Sequence, residues 1–169
     1  KLKAISLQIE VKTPLSLENE KFISYLKTLE ADLFVIVAFR KLPRSIWTIP
    51  KYGTINLHTS LLPNYRGAAP INRVLINGEQ ETGLTTFFID DKIDCGEIIS
   101  QEKINLFENT TAAQLHNIMM KKGSKLLNKT IDLIHNNNFI KSKQENKLSD
   151  KDAKKLTKKI TKINWKNDA

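Results

Sequence analysis

A single cysteine, Cys95, stands in 169 residues, which rules out an internal disulfide and fits the reducing cytoplasm. No stretch approaches the about 18 to 20 consecutive apolar residues of a membrane-spanning helix, so no membrane partner is expected. No charged-then-apolar leader of the secretory type opens the chain. No pair of His, Cys or carboxylate residues has metal-ligand spacing, so no metal is expected. Ser60 lacks the Gly-x-Ser-x-Gly surroundings of a hydrolase nucleophile. No internal repeat is visible. The chain opens Lys1-Leu2-Lys3-Ala4 without a methionine, the start expected of a piece of a longer product.

What remains suits one compact domain, with 40% hydrophobic residues to supply a core. The net charge of +9 is unevenly placed: residues 141–169 hold ten lysines against four acidic residues, +6 of the total. A concentrated basic tail reads as a contact for a polyanion such as RNA, as a solvated linker, or as a bias toward Lys and Asn without functional content. The expected division is a folded domain over 1–145 and a partly helical basic linker over 146–169, ending at Ile163-Asn164-Trp165.

Hydrophobic periodicity orders the elements. A short strand is expected over 7–11, ended by Pro14. A helix follows from Leu15, with Phe22, Tyr25, Leu26 and Leu29 spaced as an amphipathic face. The unbroken β-branched run 32–39 reads as a strand buried on both faces, as in a covered parallel sheet. Pro43 opens a loop and a short helical piece ending near Pro50. Residues 52–58 form the next strand and 71–76 a helix closed at Asn77-Gly78. Strands 84–90 and 97–104 are joined by the loop holding Asp94. Asn109-Thr110-Thr111 caps a long helix striped by Leu115, Ile118, Met119, Leu126, Leu127, Ile131 and Ile134, with Gly123 inside it for a close packing contact. Residues 139–145 add a last short strand. Alternating strands and helices predict an α/β fold with a mainly parallel sheet, whose ligands sit at strand C-terminal ends.

The richest segment runs from Thr54 to Pro70. Residues i and i+2 of a strand point the same way, so Asn56 and His58 converge on one small group. An amide donor beside an imidazole suits stabilisation of an oxyanion during attack on a carbonyl. Alone, an Asn-x-His triplet is more often surface or capping material. Asp94, in Ile93-Asp94-Cys95-Gly96, supplies a carboxylate at another strand end. Asp90 and Asp91 are its bland alternatives, and His116 and His135 read as helix-surface residues.

The series Asn56, His58, Ser60-Leu61-Leu62-Pro63, Tyr65-Arg66-Gly67-Ala68-Ala69-Pro70-Ile71-Asn72, Gly78-Glu79, Glu81-Thr82-Gly83, Thr85 and Asp94-Cys95-Gly96 resembles the folate-dependent formyltransferases. The likeness is strongest from about residue 33 to 104. It implies a Rossmann-like catalytic domain that is N-terminally incomplete, lacking a first strand, helix and strand, and lacking the small C-terminal β-barrel. It also implies 10-formyltetrahydrofolate as formyl donor. By the same resemblance Asn56, His58 and Asp94 are catalytic, while Ser60, Leu61, Leu62 and Pro63 line the folate site and Phe39 and Leu42 help form the pterin pocket. Cys95 stands where the family usually has Thr. Arg66 has two open readings: a partner for a substrate or folate carboxylate, or a pin for its own loop. The acceptor these motifs favour is initiator methionyl-tRNA, bound by a protein monomeric at full length. The alternatives are an amino-sugar nucleotide, glycinamide ribonucleotide, or a non-catalytic remnant that binds folate or RNA.

Overall fold

The computed structural model describes residues 1–38, 41–144 and 151–162. Its elements are α1 (Leu2–Ser6), α2 (Glu20–Thr28), β1 (Phe34–Val37), α3 (Arg44–Trp47), β2 (Thr54–His58), α4 (Pro70–Ile76), β3 (Glu81–Phe88), β4 (Ile98–Asn105), α5 (Ala112–His135) and α6 (Lys158–Thr161). The strands form one sheet in the order β1-β2-β3-β4. Parallel pairing joins β1 to β2, with Ile36 opposite Asn56. Antiparallel pairing joins β2 to β3 and β3 to β4. The architecture is α/β as expected, and the sheet is mixed. Its parallel character lies in the β1–β2 pair; the antiparallel pairing of β3 with β4 follows from the short 89–97 connection, too short for the crossover that parallel strands require.

Local chemistry fixes the helices. Asn19 Oδ1 accepts from the Phe22 amide and starts α2. Proline at the first position opens α4, where its missing N–H costs nothing. Thr111 and Gln114 form a reciprocal capping box at the start of α5. That helix lays Leu115, Met119 and Leu126 against Leu57, Leu84 and Ile104 of the sheet, making the core. Gly123 lets it lie close, because a β-carbon there would come 2.8 Å from Leu57 Cδ2. Ile118 and Ile131, expected in the same stripe, fall at its solvent margin.

Three expectations need correction. Residues 7–11 form no strand; the chain there leaves the one-turn α1, none of whose residues is buried. β1 is not buried on both faces: Val35 and Val37 are 39% and 51% exposed, since β1 is the sheet edge among the described residues. The strand expected over 139–145 shrinks to one antiparallel bridge, Ser142 to Ile98, and its last residue lies outside the described residues. Phe39, the boundary between residues 145 and 146, and Ile163-Asn164-Trp165 likewise lie outside them.

Within the basic segment, residues 151–154 lie as a strap along the loop before α4. Tyr65 N donates to Lys151 O (2.7 Å), Ala153 N to Arg66 O (2.9 Å) and Ala69 N to Ala153 O (2.9 Å). Arg73 Nε donates to Lys154 O at 3.0 Å. Ala153 is wholly buried against Tyr65 and Val74. Residues 151–154 of a charged-looking tail are therefore packed structure.

Candidate active site

β2 brings Asn56 and His58 to one wall, opposite Phe87 and Thr85 of β3. His58 is 6% exposed. Its Nε2 lies 2.8 Å from the Tyr65 carbonyl. A carbonyl only accepts, so Nε2 carries a proton there. Proton exchange at the imidazole is thereby assigned to Nδ1, which faces Asp94 Oδ2 at 3.8 Å. That separation is an ion-pair distance rather than a hydrogen bond. It leaves Nδ1 available to a third group. Asn56 Oδ1 is buried and has no hydrogen-bond partner among the described residues. The fold does not use up this amide, and leaving a buried acceptor unpaired costs about 1–3 kcal/mol.

Asp94 sits on the β3–β4 loop with φ at +53°, in the left-handed region disfavoured for a non-glycine residue. Its Oδ2 accepts from the Gly67 amide at 2.9 Å. Gln144 supports the same loop: its Nε2 donates to the carbonyls of Asp94 (3.0 Å) and Gly96 (2.8 Å). Gln144 Oε1 accepts from Arg66 Nε and Nη2 at 3.1 and 2.6 Å. The guanidinium thus ties its loop to Gln144.

Behind this loop the Tyr65 hydroxyl donates to Glu79 at 2.5 Å and accepts from Asn77. Burial, and then the Glu79 bond, pushes the Tyr65 phenol up to about 12. Lys151 Nζ stands 2.6 Å from Glu79. The Lys151 contact first, and the Tyr65 bond second, hold the Glu79 carboxyl below its ordinary value.

Asn56, His58 and Asp94 all line a cavity of about 510 Å³, within the range of small-molecule sites. Leu42 and Ile36 give it an apolar wall, and residues 90–93 form its rim. Ser60, Leu61, Leu62 and Pro63 are not part of this lining; they shape the adjoining loop. Ser60 Oγ donates to the Asn64 carbonyl at 2.6 Å, and Leu62 N donates to Thr85 Oγ1. Leu61 packs over Gly83, where a β-carbon would meet its Cδ2 at 2.4 Å. Among the described residues no three His, Cys, Asp or Glu side chains cluster as metal ligands would. The sequence reading missed Gln144, the Tyr65 carbonyl and the strap at Ala153. Gln144 stands among Lys141, Ser142, Lys143 and Glu145, so nothing in the pattern marks it.

The chain as a whole is similar to known proteins. The formyl transferase family profile matches residues 5–131. The chain belongs to that family. It is 48% identical over 162 residues to the methionyl-tRNA formyltransferase of Flavobacterium johnsoniae, covering 96% of this chain and 51% of that protein. It is 48% identical over 136 residues to the methionyl-tRNA formyltransferase of Clostridioides difficile, covering 80% and 44%. The chain therefore spans about half the length of these curated relatives. Among solved structures, a sugar 3N-formyl transferase in the presence of dTDP and 5-N-formyl-THF superposes with a TM-score of 0.73 and 27% identity, covering 98% of this chain and 57% of that one. HypX from Aquifex aeolicus in complex with tetrahydrofolic acid gives 0.76 at 16% identity over 99% and 29%, a likeness of fold. The Rossmann-like class expected from the motifs stands.

Proposed function

We propose that this chain is the catalytic part of an enzyme that moves a formyl group from 10-formyltetrahydrofolate to the amino group of initiator methionyl-tRNA, in the cytoplasm. One observation carries the reading: Asn56, the Nδ1 side of His58 and the Asp94 carboxylate converge on one cavity. The cavity fits such a donor, with an apolar wall at Ile36 and Leu42 and an unpaired buried amide oxygen beside it. When bound, the donor supplies an activated one-carbon unit at formyl oxidation level.

The residues then divide the work. Asn56 and the Nδ1–H of a protonated His58 meet the oxygen on which negative charge builds as the amine adds, and one such donor is worth about 10²–10³ in rate. His58 donates from Nδ1 only as imidazolium, because Nε2–H is committed to Tyr65. The Asp94 carboxylate faces that ring across 3.8 Å. Its Oδ1 has no partner among the described residues and takes the proton lost by the attacking amine, which it then passes to the departing nitrogen. Leu42 and the 90–93 rim hold the donor, with Ser60, Leu61, Leu62 and Pro63 shaping the loop beside it.

The acceptor assignment rests on identities of 41–48% to proteins named methionyl-tRNA formyltransferase. The sugar-acting fold neighbour stands at 27%. Incubating the full natural chain with 10-formyltetrahydrofolate and, in turn, methionyl initiator tRNA, an amino-sugar nucleotide and glycinamide ribonucleotide tests it. Formylation of the tRNA alone is expected. Formylation of only a sugar or ribonucleotide amine overturns the acceptor, and formylation of none overturns the activity.

A further inference from the structure

Gln144 uses its whole amide to join two loops that are 50 and 78 residues distant in sequence. Its Nε2 donates to both the Asp94 and Gly96 carbonyls, spanning the turn at Cys95. Its Oε1 takes two N–H groups of Arg66. The neighbouring Gly67 amide donates to Asp94 Oδ2 at 2.9 Å. Gln144, Arg66, Gly67 and Asp94 thus close a ring, one side of which is the carboxylate facing His58 Nδ1.

The ring answers a local problem. Asp94 has a left-handed backbone, φ +53°, which an L side chain leaves unless its surroundings hold it. The loop is also wedged where it leaves the turn, since a β-carbon at Gly96 would lie 1.7 Å from the Phe88 carbonyl oxygen. Gly67 holds the Asp94 side chain, and Gln144 holds its backbone. Only both together fix where the carboxylate points.

We propose that Gln144 is a positioning residue for formyl transfer, setting the Asp94 carboxylate against His58 through its two carbonyl contacts. The inference rests on the function proposed above. Gln144→Glu separates the arms of the ring: an acid keeps an acceptor for Arg66 but sets oxygen against two carbonyls. Gln144→Met removes both arms.

Amide hydrogen exchange on this chain reads the positioning without any reaction. In both variants the Gly67 amide should exchange about tenfold faster, while β3 amides keep their protection. In the full natural chain, formyl transfer by Gln144→Glu should fall about tenfold in kcat with the donor KM within about threefold. In an Asp94→Asn background the same change should cost less than about twofold, because the group it positions is gone. Unchanged Gly67 exchange, or losses that multiply fully in the Asp94→Asn background, would overturn the positioning role. Absence of formyl transfer by the wild-type chain would instead remove the proposed function, and Gly67 exchange would still decide whether Gln144 holds the loop.

Discussion

At the scale of single residues, the site is organised by which atoms the fold has already committed. His58 Nε2 is spent on the Tyr65 carbonyl, so its chemistry passes to Nδ1. The period-two spacing made the Asn56–His58 pair legible, and the loop after a strand end made Asp94 legible. Backbone partners left no such mark, since any residue at position 65 offers a carbonyl. Gly67 is a residue whose need is geometric: its φ is +124°, and a β-carbon would sit 2.8 Å from the Ala153 carbonyl oxygen. Gly67→Ala should lower the folding stability by about 1–3 kcal/mol and free the strap, measured by urea unfolding and by exchange of the Ala153 amide. Unchanged values would mean that the strap does not depend on this close approach.

Among the elements, β2, α4 and α5 were readable because their apolar spacing and caps agree with their packing. β1 was not. Its run of β-branched residues looks the same whether one face or two are covered, and burial depends on what lies beyond the edge. Val35 and Val37 alternate outward on that edge, and exposed apolar edges seed association. Val35 lies outside the cavity lining, so Val35→Lys should reduce self-association of the 169-residue chain without touching the site. Sedimentation velocity checks this; equal association in both forms would show that the edge is not the sticky surface. The mixed sheet was equally hidden, because strand direction depends on connection geometry rather than on side-chain pattern.

At the level of the whole molecule, the strap ties the basic segment to the candidate site through Lys151, Glu79 and Tyr65. Lys151 and Tyr65 hold the Glu79 carboxyl below its ordinary value of 4.5. A carboxylate depressed on folding stabilises above its unfolded pKa, and that contribution fades as pH falls through the folded value. Glu79→Gln should therefore reduce stability near neutral pH and flatten its decline below about pH 4.5, seen in urea unfolding at pH 7 and at lower pH. A parallel pH dependence in variant and wild type would contradict this. Farther along, Lys154, Lys155, Lys158 and Lys159 are where the proposed RNA contact of the tail is tested. Replacing them by Gln should lower the log–log salt slope of tRNA binding by about one unit for each phosphate they neutralise. An unchanged slope would make the tail a solvated linker.

The claim on which the rest depends is that His58, with Asn56 and Asp94, forms one centre for formyl transfer. The most direct test is single-turnover formylation of methionyl initiator tRNA by the full natural chain, wild type against His58→Ala, with donor binding measured on both proteins. The account predicts a rate about 10²–10³ lower for the variant, with donor affinity changed by less than about threefold. A variant that formylates at the wild-type rate, or whose donor binding falls in proportion to rate, would contradict it.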